Sequence, residues 1–205
     1  MILSIHEPDA EAAAEEALLR GGIVALPTET VYGLATILRE DALAALLEAK
    51  RRDPARGMAL LVTSLAQAEN LAVVPDAARR LAARFWPGPL TLVLRARAGL
   101  PLPVEVVGEG GTLAFRAPDH PTPRGLAARL GPLVLTSANR SGEAELETGA
   151  QIVEVFGAAV ALVLDGGPPR HGQPSTVVDL SGADQIPHIV RAGPISSEAV
   201  AEALR

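Results

Sequence analysis

The chain contains no cysteine, which excludes disulfides, thiolate metal sites and a cysteine nucleophile. Aromatic residues are scarce: Tyr32, Phe85, Trp86, Phe115 and Phe156 are only 2% of the sequence, too few for a platform that stacks single-stranded nucleic acid. The four histidines, His6, His120, His171 and His188, show no ligand spacing, and no metal site is expected. No apolar run approaches the roughly 18 residues of a membrane span, and the N-terminus lacks a basic stretch followed by an apolar core. A soluble, cytoplasmic protein without a membrane partner is therefore expected. Positive charge is also in short supply. The net charge of -6 argues against broad adhesion to nucleic acid, yet leaves room for a local basic pocket that takes an anionic small molecule.

Such a cluster exists at Lys50, Arg51, Arg52 and Arg56. The rest of the chain is 48% hydrophobic over 205 residues, enough for a sizeable core, and without linker or repeat it reads as one domain over 1–205. Short apolar runs alternate with helix-forming stretches. Strands are predicted at Ile23–Leu26, Met58–Val62, Leu90–Leu94, Thr112–Phe115, Leu133–Leu135, Ala161–Leu164, Ser175–Leu180 and Ile189–Gly193. Helices are predicted after Asp9, after Asp41, after Ser64 and from Asp76, near Arg124–Leu130, after Thr148 and after Ser196. Ser64 and Thr148 each have a glutamine three residues on, the spacing of a capping box. The fold class implied is α/β, a twisted mixed sheet with helices packed on it.

The segment Leu133–Gly142 focuses the functional reading. Leu133, Val134 and Leu135 suit a strand buried on both faces, and the hydroxyls and amide of Thr136, Ser137, Asn139 and Ser141 follow where that strand ends. By itself this is also what a polar turn looks like. Polar loops follow apolar strands again at 27–33, 116–120 and 165–175. If those ends converge, they line one cationic, hydroxyl-rich cleft without a cysteine or an obvious histidine base, suited to phosphate and carboxylate. Lys50, at a helix C-terminus, is equally explained by the helix dipole, and Tyr32 by burial of an aromatic with a satisfied hydroxyl.

Taken together, Pro27-Thr-Glu-Thr-Val-Tyr-Gly-Leu34, Lys50-x-Arg52, Trp86-Pro-Gly-Pro-Leu-Thr91, Arg116-x-Pro-Asp-His-Pro121, Thr136-Ser-Ala-Asn-x-Ser-Gly142, Ser175-Thr-Val-Val-Asp179 and Arg191-x-Gly193 resemble the YrdC/TsaC family, with the motifs in the family's order. The resemblance implies an L-threonylcarbamoyladenylate synthase, a nucleotidyltransferase with a YrdC-like fold. It implies ATP contacts at Lys50, Arg52, Ser137, Asn139 and Arg191, with Lys50 and Arg52 catalytic, and a threonine side lined by Thr28, Thr30, Tyr32, Arg116 and Ser175. Arg116 is the candidate for the carboxylate, whose geometry a guanidinium fork matches.

The implied substrates are L-threonine, bicarbonate or CO2, and ATP, with Mg2+ carried on the triphosphate. The product would pass to the tRNA threonylcarbamoyl-transfer machinery acting on adenosine 37. A double-stranded RNA-binding role for the same fold, and a paralogue that acts on another carbamoyl substrate, are the alternatives. Two departures stand out: Asp53 intervenes between Lys-x-Arg and Pro54, and Met58–Val62 lacks the histidine that longer members carry there. The chain is also read as a stand-alone catalytic domain, without the second domain of the longer synthases.

Overall fold

The computed structural model describes residues 1–53, 57–183 and 186–205. Through them the chain runs β1 (Ile2–Ser4), α1 (Ala10–Leu19), β2 (Val24–Leu26), β3 (Gly33–Ile37), α2 (Glu40–Lys50), β4 (Ala59–Leu61), α3 (Leu65–Glu69), α4 (Asp76–Phe85), β5 (Leu90–Arg95), β6 (Thr112–Arg116), α5 (Pro121–Leu130), β7 (Leu133–Ser137), α6 (Gly149–Phe156), β8 (Leu162–Asp165), β9 (Thr176–Asp179), β10 (His188–Arg191) and α7 (Ser197–Ala203). The strands form one mixed sheet in the order β1-β8-β2-β3-β7-β4-β6-β5-β9-β10. The expected α/β class with helices on a mixed sheet is what forms.

Alternation along the central strands explains the two cores. Leu133 and Leu135 of β7, Leu61 of β4 and Ala35 of β3 face one way, onto α1 and α5, where they meet Ala10, Ala14, Leu18 and Leu126. Val134, Leu60 and Leu34 face the other way, with Leu43 and Leu46 of α2 and Leu81 of α4. Each fully buried leucine contributes about 1.5–3 kcal/mol relative to exposure, so both faces hold the sheet. The reading of Leu133–Leu135 as a strand covered on both sides is correct.

Several expectations need correction. Strands β1 and β3 form where the sequence carries no strand signal, β3 standing at what reads as the tail of a polar loop. Helix α5 starts at Pro121, not near Arg124, because a proline at the first helical position lacks only an N–H that would find no partner there anyway. Asp41 does not cap α2, whose N-cap position is Arg39; its carboxylate is held by the Arg39 guanidinium, with Oδ2 2.9 Å from Nη2. Ser64 makes no side-chain cap, and Gln67 Oε1 accepts from Thr63 N–H at 2.8 Å, not from Ser64 N–H as a capping box requires. Asp9 stands at the N-cap of α1 without a side-chain bond. The boxes at Thr148 and Ser196 fare better: Thr148 and Gln151 close a reciprocal capping box, and Ser196 Oγ accepts from Ala199 N–H at 3.2 Å.

The sheet order also dictates an unusual connection. Strands β8 and β9 follow each other in sequence but stand second and ninth in the sheet. At about 4.8 Å per strand step, a flat sheet would separate them by roughly 34 Å, close to the full reach of the connecting residues 166–175 at about 3.3–3.6 Å each. That segment is therefore a strap drawn from one half of the sheet to the other.

Candidate functional site

On the face that α1 and α5 cover at one end, the sheet is open at the other. Register pairs Ala59 with Ala114, and Leu61 with Arg116; Arg116 pairs with Thr91, and Thr91 with Val177. These side chains share a face and floor a cleft of about 310 Å³ whose walls include Thr28, Tyr32, Arg52, Ser137, Ser175 and Arg191. The floor is low because Gly33, Ala59 and Ala114 lack bulk. A Cβ on Gly33 would stand 2.5 Å from Leu135 Cδ1.

Three guanidiniums converge here. Helix α2 ends at Lys50, and its C-cap residue Arg51 has a φ of 51° in the left-handed region, at a cost of about 1–2 kcal/mol for a residue with a side chain. This reversal turns Arg52 to the cleft, with Nη2 donating to Gly57 O at 2.9 Å. Arg116 rises from the end of β6; its Nη2 donates to Glu29 Oε1 at 2.9 Å. Burial lowers its pKa, and the Glu29 carboxylate opposes that shift. Arg191, on the edge strand, donates from Nε to Ser175 O at 3.0 Å and from Nη2 to Ser175 Oγ at 3.1 Å. Its pKa is lowered by burial and then by the charge of Arg116. Like charges held this close attract an anion to the space between them.

Gly193 makes the Arg191 position possible. A Cβ there would lie 2.4 Å from Thr176 N and 2.6 Å from Pro174 O, so only glycine lets the chain after β10 pass this close to β9. Ser175 Oγ also lies 2.7 Å from Thr91 Oγ1, a hydroxyl pair on the cleft floor.

Lys50 behaves differently from the arginines. It is almost fully buried and does not line the cleft. Its ammonium donates to Asn139 O at 2.6 Å, to Asn139 Oδ1 at 3.1 Å and to Ser137 O. Burial, followed by the nearby charge of Arg52, pulls its pKa down to about 8. Asn139 is the hub of the loop after β7: its Oδ1 also accepts from Ser137 Oγ at 2.6 Å, and its Nδ2 donates to Glu143 O at 2.6 Å. Spacing two residues apart thus puts a hydroxyl and an amide on one turn, with the lysine beneath both.

The 27–33 loop is equally built. Thr28 Oγ1 donates to Val31 O at 2.6 Å, so Thr30 Oγ1, 2.9 Å away, supplies the proton between the two hydroxyls. Thr28 lines the cleft, whereas Thr30 is buried behind it. The Tyr32 ring walls the cleft while its hydroxyl reaches Asp165 Oδ1 at 2.8 Å and Gly167 O at 3.0 Å, and accepts from Gly166 N–H at 3.1 Å. Burial and the Asp165 carboxylate push that hydroxyl up to about 12. Both readings of Tyr32, core aromatic and cleft wall, apply at once.

Of the ten residues proposed from sequence, seven line the cleft: Thr28, Tyr32, Arg52, Arg116, Ser137, Ser175 and Arg191. Lys50, Thr30 and Asn139 stand one layer behind. Pro54 and Arg56 lie outside the described residues. Sequence reasoning missed Glu29, buried against Arg116, and Asp165, which holds Tyr32; in the sequence, neither acid is distinguishable from other loop acids. Among the described residues, no group of three or more His, Asp or Glu side chains is arranged to hold a metal.

The family model described as Telomere recombination, which unites Sua5, YciO and YrdC, matches residues 16–193. The chain belongs to this family. It is 42% identical over 185 residues to the threonylcarbamoyl-AMP synthase of Chromohalobacter salexigens, covering 87% of this chain and 96% of that one. With the putative threonylcarbamoyl-AMP synthase of Mycobacterium tuberculosis it shares 39% over 194 residues, covering 94% and 88%. Among solved structures, Sua5 of P. abyssi in complex with L-threonine superposes with a TM-score of 0.91 at 34% identity, over 100% of this chain and 61% of that one. E. coli YciO, at 23% identity and a TM-score of 0.81, shares the fold. For this Sua5/YciO/YrdC chain, no helix among the described residues is long and apolar enough to cross a membrane.

Proposed function

We propose that the cleft is the active site of a threonylcarbamoyl-AMP synthase, which converts L-threonine, bicarbonate or CO2, and ATP into threonylcarbamoyl-AMP and pyrophosphate, with water also released where bicarbonate supplies the carbon. The supporting observation is the convergence of Arg52, Arg116 and Arg191 on a floor of small side chains and hydroxyls, with no carboxylate among the described residues that line it. Two anionic substrates meeting in one cleft require this charge balance.

In this reading Arg116 takes the threonine carboxylate with the edge of its fork that Glu29 leaves open, and Thr28, Tyr32 and Ser175 close around the side chain. Thr30 acts through Thr28. Arg52, Arg191 and Ser137 face the nucleotide, and Lys50 and Asn139 shape the turn that presents Ser137. The threonine nitrogen attacks the carbon of CO2 and loses a proton, leaving a carbamate. A carbamate oxygen then attacks the α-phosphorus while the bond to the pyrophosphate oxygen breaks and pyrophosphate departs. Charge grows on the leaving phosphates, and fixed guanidiniums that need no reorganisation offset it. Mg2+ enters as part of the ATP substrate, held by phosphate oxygens and water, which suits a cleft that offers it no carboxylate cage.

The fold works here as a single domain over 1–205, in the cytoplasm where ATP and tRNA are found, and hands its product to a tRNA threonylcarbamoyl-transfer machinery. Direct binding of tRNA or double-stranded RNA has weaker support, given the net charge of -6. The test is pyrophosphate release from ATP and bicarbonate with and without L-threonine, in wild type and in Lys50→Ala and Asn139→Ala. Threonine-dependent release lost in both folded variants supports the assignment. ATP binding that threonine leaves unchanged would overturn it.

A further inference from the structure

Among the described residues, Glu29 is the one acid buried directly against the cleft's cations. It is 2% exposed, it comes from the β2–β3 loop, and its Oε1 accepts from Arg116 Nη2 at 2.9 Å. Its Oε2 and the Arg116 Nε have no hydrogen-bond partner among the described residues. The Glu29 main-chain oxygen accepts from His171 N–H of the strap at 2.9 Å, so the backbone that carries the carboxylate is anchored while the carboxylate grips only one corner of the guanidinium. A buried arginine without a counter-charge withdraws toward solvent or another acceptor, and Arg191 beside it adds repulsion.

We propose that Glu29 is a positioning residue for the threonine-binding step: by holding Nη2 it fixes the plane of Arg116, leaving the rest of the fork directed to the amino acid's carboxylate. This rests on the synthase reading above. Glu29 touches no reacting atom; it acts through Arg116. The pairing also keeps Arg116 and its neighbour Arg191 from both standing uncompensated, so the carboxylate of the substrate meets an arginine already in place.

The experiment is a double-mutant cycle read as the KM for L-threonine, with the KM for ATP as control. Glu29→Gln and Arg116→Gln are expected each to raise the threonine KM about 10- to 100-fold and to move the ATP KM less than about threefold. Combining them is expected to be no worse than Arg116→Gln alone, since a residue that acts through another has nothing left to act on. Glu29→Asp, which keeps the charge but draws it back by one methylene, is expected to raise the threonine KM at an unchanged melting temperature, and it serves if the glutamine variant does not fold. A crystal structure of the folded variant is expected to show the Arg116 guanidinium displaced. Effects that multiply in the double variant, or a folded Glu29 variant with Arg116 unmoved and an unchanged threonine KM, overturn the proposal. If wild type itself shows no threonine dependence, the synthase reading fails instead, and the crystal structure still decides whether Glu29 holds Arg116.

Discussion

Lys50 and Asn139 meet twice, the ammonium donating to the main-chain oxygen at 2.6 Å and to the side-chain oxygen at 3.1 Å. A helix end and a strand end are thereby locked by one cation. The same cation carries a measurable pH signature.

The Lys50 pKa of about 8 lies below its ordinary 10.5. In the free protein the ammonium is lost as pH rises through about 8, and kcat/KM for ATP is expected to fall above that pH. Stability moves the other way. Between about 8 and 10.5 the unfolded chain keeps a proton that the folded chain has shed, so stability rises with pH in that window. Above 10 the raised Tyr32 value of about 12 reverses the trend, because there the folded chain holds the extra proton. Urea denaturation across pH 7–10 at constant ionic strength checks this, and Lys50→Met is expected to flatten the rise.

Tyr32→Phe removes the hydroxyl that ties down Asp165 at the end of β8 and the start of the strap at Gly166 and Gly167. A loss of about 1–2 kcal/mol is expected from the unpaired groups. Amide hydrogen exchange over residues 166–173 should quicken, while exchange in β7 should stay as it was. An unchanged strap would show that its other ties suffice.

Gly193→Ala has no room for its methyl, which would meet main-chain atoms of Pro174, Ser175 and Thr176. The segment after β10 must shift, carrying Arg191 off Ser175. We expect the ATP KM to rise about tenfold or more, equivalent to about 1.4 kcal/mol, with a smaller change for threonine. Steady-state kinetics on the purified variant provides the comparison.

Ala114→Leu adds bulk to the cleft floor without disturbing either core, because Ala114 faces the open part of the sheet between Ala59 and Val93. The melting temperature is expected to hold within a few degrees, while binding of both substrates is lost. Calorimetric titration with ATP and with L-threonine reads the outcome directly.

The sequence carried the parts of the site whose signals are local. A run such as Leu133–Leu135 followed by hydroxyls announces a strand and its loop, and Lys50 sits where a periodic helix must stop. What it could not show is orientation. The acceptors of Lys50 lie 87 and 89 residues downstream, so nothing nearby indicates that the lysine folds beneath the loop and away from the cleft. Glu29 illustrates the same gap, since its importance comes from Arg116, 87 residues away. Strand β3 escaped notice because it begins at Gly33, a residue that usually ends strands; here the glycine is needed to admit Leu135. Asp41 and Ser64 have the right type and place for caps, but the Asp41 carboxylate is taken by Arg39, and the Gln67 side chain that should close a box with Ser64 is turned to Thr63 N–H.

The strap and the edge strand bear on how the molecule is made. Arg52 and Arg116 leave the ribosome well before Arg191, and β9, which must bring Ser175 to Thr91, arrives only after the chain has crossed the sheet. A nascent chain can thus build the β4, β5 and β6 part of the floor and two of the three cations but no complete anion site. Substrates cannot stabilise the fold by mass action until the last strands dock, so the earlier elements must hold together on their two apolar cores alone.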